Sequence, residues 1–235
     1  MNHFRWLALT ATICINFVSN CHANDGKKDY FVFLTTGKST DGVASEEIQK
    51  KQAAHLGNFG RLAKLGSLTT AGPCADPDKV TRGIVVINAE SIADAETLFA
   101  PDPYVSEGYM KAELHEYQTV AGKLELVSEV TSMEQSVLVI LSQAKQWPTE
   151  TSQVKSLEAK LTALAKEQFE AKKLGFAGLF NSQSNNTNKR MAVFLFRGKE
   201  LEPVQTILES HELIKNGSVQ FKAFKQYMAK GALPD

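Results

Sequence analysis

Cysteine is scarce, charge is balanced, and no apolar run is long enough to cross a bilayer. The 235 residues hold three cysteines, and 26 basic side chains face 26 acidic ones. So few cysteines exclude a scaffold held by a disulfide framework. Zero net charge argues against the basic footprint of a nucleic-acid partner, and no Lys/Arg block exceeds two residues. No phosphate-cradling glycine loop, no G-x-S-x-G turn and no H-E-x-x-H helix occurs. Nothing in the sequence asks for a cofactor. What is present is a core: 43% of the residues are hydrophobic and 22% charged, ordinary for a folded domain. The length suits one large domain or two of about 100 residues each.

The N-terminus reads as an address. Arg5 precedes a short apolar run from Trp6 to Val18, then Ser19-Asn20-Cys21-His22-Ala23 and the polar start Asn24-Asp25. A basic n-region, a short h-region and a small residue at the cut describe a secretory signal peptide, residues 1–23, cleaved after Ala23. The run is too short for a stable transmembrane helix, so no membrane span is expected in the mature protein. An uncleaved anchor and a lipoprotein signal with Cys21 as the lipidated residue are the alternatives. Cleavage sends the protein out of the cytoplasm, to the periplasm in a bacterial source. It leaves one thiol, Cys74, and three histidines, His55, His115 and His211. The core then holds without staples.

The remainder carries a repeat. Lys64-Leu65-Gly66 recurs as Lys173-Leu174-Gly175, and Gly108 recurs as Gly217, both at an offset of 109 residues. Apolar runs at 30–34 and 137–141 predict buried strands. Long helices follow, over 46–65 and 153–174. Ser45 would cap the first, and Gly66 and Gly175 would end the two. Strands over 67–70 and 83–87 match 176–180 and 191–196. Ser91 and Asp94 form a capping box for a helix over 92–99, matched by one over 203–208 with Pro203 in its first turn. Closing strands run over 109–118 and 218–227. Each half reads β-α-β-β-α-β, the ferredoxin-like pattern. Such a sheet carries helices on one face and must have the other covered, which two copies in one chain can do for each other. The expected organisation is a first domain over 24–122, a connector over 123–135, and a second repeat over 136–235. Within the connector, the alternation at 124–127 is open to reading as an extra strand. The polar stretch 181–188 reads as an exposed loop.

Four short stretches of the first half occur in one order: Ala54-His55-Leu56, Gly66 through Ala71-Gly72-Pro73, the 83–87 strand, and Asp102-Pro103-Tyr104-Val105 with Gly108. On these, residues 29–120 resemble the YCII-related family. The resemblance implies a dimeric α+β barrel fold, here two tandem ferredoxin-like repeats closed into an intramolecular α+β barrel. It also implies a His–Asp active site at His55 and Asp102. Functions in that family are poorly defined, some members resembling lactone-processing dehalogenases or isomerases.

The residues speak for the same pair. Ile48, Gln52, His55, Phe59 and Leu62 fall on one helical face, which puts His55 on the stripe toward the sheet. The offset places Leu164 opposite His55 and His211 opposite Asp102, so the second copy lacks the pair. A buried imidazole beside a carboxylate can act as a general acid/base near neutral pH. Alone, however, a histidine on an apolar face is more often a hydrogen-bonded core residue, and Asp before Pro is a good turn former. Tyr104 is a weak candidate for lining a pocket. Cys74 reads as a small buried residue rather than a nucleophile activated by His55. His115 shares a strand face with Glu113 and Tyr117, but these scattered residues make no metal signature. Asp76-Pro77-Asp78 reads as a turn. The leading expectation is therefore an exported protein with a small-molecule pocket using His55 and Asp102. A non-catalytic ligand-binding module and a structural protein remain as rivals, and the sequence leaves oligomeric state and enzyme status open.

Overall fold

β-branched and aromatic residues at 30–34 make a strand that is buried on both faces. Phe31 and Phe33 point one way, and Tyr30, Val32 and Leu34 the other. The computed structural model describes residues 26–127, 130–181 and 189–234, so the expected leader and most of the 181–188 loop lie outside the described residues. The element order is β1 (Lys28–Thr36), α1 (Ser45–Lys64), β2 (Leu68–Ala75), β3 (Thr81–Ala89), α2 (Ile92–Thr97), α3 (Pro103–Ser106) and β4 (Met110–Gly122). It continues with β5 (Met133–Gln143), α4 (Thr151–Glu170), β6 (Leu174–Phe180), β7 (Arg190–Phe196), α5 (Leu201–Ser210), α6 (Glu212–Lys215) and β8 (Val219–Ala229).

The strands close into one antiparallel barrel in the order β1-β3-β2-β8-β5-β7-β6-β4. Within it, β4-β1-β3-β2 and β8-β5-β7-β6 each follow the ferredoxin-like order. Two seams join them. Along β4–β6 the register runs from Tyr117 opposite Phe180 to Gly122 opposite Phe176. The β2–β8 seam is shorter, pairing Cys74 with Gln226 and Ala75 with Lys225. The barrel interior is one apolar cluster drawn from both halves, including Phe31, Phe33, Leu138, Phe176, Val193 and Phe224. The outer faces are covered separately. Leu62, Ala95 and Phe99 cover the first half, and Leu157, Leu161 and Leu164 the second. Among the described residues, no helix is long and apolar enough to cross a membrane.

Several expectations need correction. Ser45 lies inside α1: the cap position is Ala44, and no side chain caps this end. Gln52 is exposed, while Lys51 and Asn58 are buried, so the inward stripe is rotated by about one residue. Gly66 does end α1, at φ +66°, and the Ser67 and Gly66 amides close on the Leu62 and Ala63 carbonyls. This is the reciprocal bond pair of a Schellman end. Gly175 does not play that part. α4 stops earlier, and Lys172 takes the left-handed conformation at φ +58°, with the Lys172 and Lys173 amides bonded to Phe169 and Gln168. Gly175 lies in β6, where a Cβ would meet Leu233 at 2.3 Å. Counted from the left-handed residue that ends each helix, Leu161 rather than Leu164 stands where His55 stands in α1. The connector holds no strand over 124–127. Leu124 and Val127 instead cap the apolar interior, and β5 already begins at Met133.

Candidate functional site

α1 brings His55 inward, 7% exposed, over the turn that starts α3. That turn is built from Asp102-Pro103. Asp102 is extended and caps α3, its Oδ1 accepting the Tyr104 amide at 3.0 Å, and Pro103 supplies the fixed φ of a first helical turn. The second carboxylate oxygen, Oδ2, lies 2.6 Å from His55 Nδ1. Asp102 is fully buried. A buried carboxylate without a partner is strongly destabilising, so each group secures the other. α1 is further tied to the end of α2, which leads into this turn, by the Leu98 carbonyl, which accepts from Arg61 at 2.7 Å and from Asn58 at 3.4 Å.

This geometry assigns the tautomer. The Nδ1–H donates to the Asp102 carboxylate, which leaves the Nε2 lone pair as the working atom. Nε2 has no hydrogen bond and is not among the sealed, unpartnered polar atoms, so it reaches solvent. Aromatic rings frame it. Phe59 stands edge-on at 4.6 Å and Tyr104 at 5.4 Å, with Tyr109 beyond Tyr104 at 6.3 Å. Burial pushes the Tyr104 hydroxyl above its ordinary range, so it stays a neutral wall. Lys51, one turn before His55, is buried and bonded to both Glu107 oxygens at 2.6 and 2.7 Å, with Glu47 at 3.1 Å. The Glu107 carboxylate, and then Glu47, hold its ammonium above the usual range. Sequence reasoning passed over Lys51 and Tyr109. The signal for Lys51 was available, because residues four apart share a helical face.

The other candidates are elsewhere. Cys74 packs against the barrel interior, on the opposite face of the sheet from His55, and burial pushes its thiol far above the reactive range. His115 also points into the barrel, against Phe33 and Phe180. His211 sits in a turn and caps α6, accepting the Leu213 amide at 3.3 Å. Asp76 forms the expected turn, taking the Asp78 amide at 3.1 Å and the Thr81 amide at 2.8 Å. Among the described residues, no three His, Cys, Asp or Glu side chains gather as for a metal ion. A depression of about 250 Å³ is lined by Lys27, Ser67, Asn88, Asp94 and Leu98 and does not reach His55.

The chain is thus a closed α+β barrel, with His55 and Asp102 in contact under its first long helix. The sequence pattern of the YCII-related domain matches residues 30–115, and both members of the pair lie within it. Residues 30–115 are thus a YCII-related domain. No curated protein matches the chain. Among solved structures, a mutant chlorite dismutase from Candidatus Nitrospira defluvii in complex with cyanide superimposes with TM-score 0.54 at 10% identity, covering 86% of this chain and 90% of that one. A provisionally assigned monooxygenase from Fusobacterium nucleatum gives TM-score 0.52 at 8% identity, covering 88% and 94%. At these identities the likeness is one of fold, and it spans both halves of the chain.

Proposed function

We propose that this is an exported small-molecule-binding protein whose first half uses His55 as a general acid/base oriented by Asp102. The observation that carries the reading is the 2.6 Å His55–Asp102 contact, with the carboxylate fully buried and Nε2 still reachable. A carboxylate bonded to Nδ1 stabilises the imidazolium that forms when Nε2 takes a proton. The aromatic walls limit water around that atom, and the substrate class that fits is a small organic acid or lactone. The second half, in this reading, is a tandem ferredoxin-like copy that keeps the scaffold alone: a leucine replaces the histidine, and His211 caps α6 as Asp102 caps α3.

The test is proton exchange at the γ-carbon of a butenolide in D₂O, followed by proton NMR. His55→Ala and Asp102→Asn should each slow protein-dependent exchange by about 100-fold or more. Unchanged exchange in both variants overturns the catalytic role. Asp102 also caps α3, which favours a second reading in which the pair only shapes a binding site. A lactone that raises Tm without exchange or conversion would support that reading. Export is tested separately, by N-terminal sequencing of protein recovered from the cell envelope or medium. A start at Asn24 is expected. Lipid on Cys21 would point to a lipoprotein, and an intact Met1 would refute cleavage.

A further inference from the structure

Among the described residues, the barrel interior is mainly apolar, with the hydrogen-bonded Ser136–Gln226 pair on the second-half side and four polar side chains converging elsewhere. His115 projects from β4 and is 4% exposed. Neither of its ring nitrogens has a hydrogen-bond partner. Phe180 lies over the ring at 4.7 Å and 30°, and Phe33 meets it edge-on at 5.6 Å. Two residues back on the same strand face, Glu113 accepts the Thr35 hydroxyl at 2.9 Å and a charge-assisted bond from Arg190. The Arg190 guanidinium lies 4.0 Å over the Phe33 ring. Thr35, Glu113 and His115 belong to the first half, and Phe180 and Arg190 to the second, so barrel closure creates the cluster.

This arrangement is costly as packing. An unbonded buried polar group costs about 1–3 kcal/mol, and a phenylalanine at 115 would extend the aromatic wall at no such cost. The cluster also lies outside the His55 site, on the other face of the sheet. Glu113 keeps its side chain 27% exposed while Arg190 is at 7%, which places the cluster toward the solvent-facing end of the barrel.

We propose that His115, Phe33, Phe180 and the Arg190–Glu113 pair form a second site, one that takes a small aromatic carboxylic acid together with its proton. The charges decide the class. Arg190 is already matched by Glu113, and Thr35 is neutral. On β4 the next inward group is Tyr117, whose hydroxyl burial holds protonated, and β6 carries no charged residue. An added carboxylate would therefore leave a buried net negative charge unless a proton came with it. His115 is the group placed to accept that proton, giving imidazolium against carboxylate. Burial, and then the nearby Arg190, keep the empty imidazole neutral, with its pKa down at about 4. The flat walls of Phe33 and Phe180 suit an aromatic ring.

The probe is benzoate, titrated calorimetrically into the wild-type protein, with the His55 and His115 ring nitrogens followed separately by ¹⁵N NMR so that proton uptake is assigned to one of them. Affinity should rise about tenfold for each pH unit lowered between 7 and 5. Buffers of different ionisation enthalpy should report about one proton taken up per benzoate. The His115 ring nitrogens should move to imidazolium shifts in ¹⁵N NMR. His115→Phe should weaken binding at least tenfold. His115→Gln, which keeps hydrogen bonding but cannot take the proton, should flatten the pH dependence. No binding at pH 5 and 10 mM benzoate overturns the proposal. So does binding without proton uptake, or binding that leaves the His115 resonances unmoved.

Discussion

Asp102 and His211 illustrate what a single position can keep and lose. Both stand before a one-turn helix, and both accept the amide two residues on, Tyr104 in one case and Leu213 in the other. Only Asp102 adds a second bond, to His55. That bond could not be read from local sequence, since the partners are 47 residues apart. The residues alone offered a histidine on an inward face and an aspartate in a turn. The pairing came from resemblance to a family. His115 was harder still. Alternation put it on one face with Glu113 and Tyr117, but both faces of β4 meet protein in a closed barrel, so alternation did not name the interior. Its burial has a measurable consequence. The folded pKa of about 4 lies below the unfolded value of about 6.5. Between those values the unfolded chain binds the extra proton, so stability from neutral His115 is intact above about pH 6.5 and is lost as pH falls toward 4. Without added ligand, denaturant unfolding at pH 7, 5.5 and 4 should show wild type losing about 3 kcal/mol more than His115→Phe over that span. Parallel curves for the two proteins would contradict the assignment.

At the scale of elements, periodicity gave the strands well, because apolar runs such as Val137–Leu141 and Met191–Phe196 are buried whichever way they face. Helix ends were less legible. Gly66 announced the end of α1 truthfully, since a left-handed residue there favours glycine. Gly175 was misleading because a second demand accounts for it: a Cβ there would fall 2.3 Å from the Leu233 side chain. Lysine at 172 accepts the left-handed conformation that the turn still requires. The two short helices α3 and α6 escaped notice as well. A four-residue helix has no apolar period to detect, and each was visible only as a capping residue followed by a glycine. The cap at Ser91 was legible because it is wholly local: its hydroxyl oxygen accepts the Asp94 amide at 3.1 Å, although the Asp94 carboxylate accepts the Ser91 hydroxyl rather than its amide, so the box is not closed.

At the scale of the molecule, the question is what makes two ferredoxin-like sheets close rather than lie side by side. The β4–β6 seam is the longer one, running from Tyr117 opposite Phe180 to Gly122 opposite Phe176. The β2–β8 seam is short and must be held by contacts beyond its ladder. Gln226, which faces Cys74 across the seam, is itself fixed from the second-half side: fully buried, it accepts the Ser136 hydroxyl of β5 at 2.9 Å and donates to the Tyr227 carbonyl of β8 at 2.6 Å. Lys222 reaches Asp78 at 2.7 Å on the rim. Gly72 decides how near the strands can come, for a Cβ there would fall 1.7 Å from the Tyr227 carbonyl oxygen. This gives a physical reason for the glycine in the Ala71-Gly72-Pro73 stretch, which on sequence was only a family marker. The clash is with backbone, so no rotamer change relieves it. Gly72→Ala should cost about 3 kcal/mol or more, at the upper end for overpacking. It should also remove hydrogen-exchange protection from β2 and β8 before β1, β3, β5 and β7. Gly57 provides the contrast: it is in α1 with open space where a Cβ would go, so Gly57→Ala should stabilise by about 0.5–1 kcal/mol through helix propensity. If Gly72→Ala unfolds at the wild-type denaturant midpoint, the β2–β8 seam does not close the barrel. The polar cluster around His115, which needs both halves, would then have no fixed geometry.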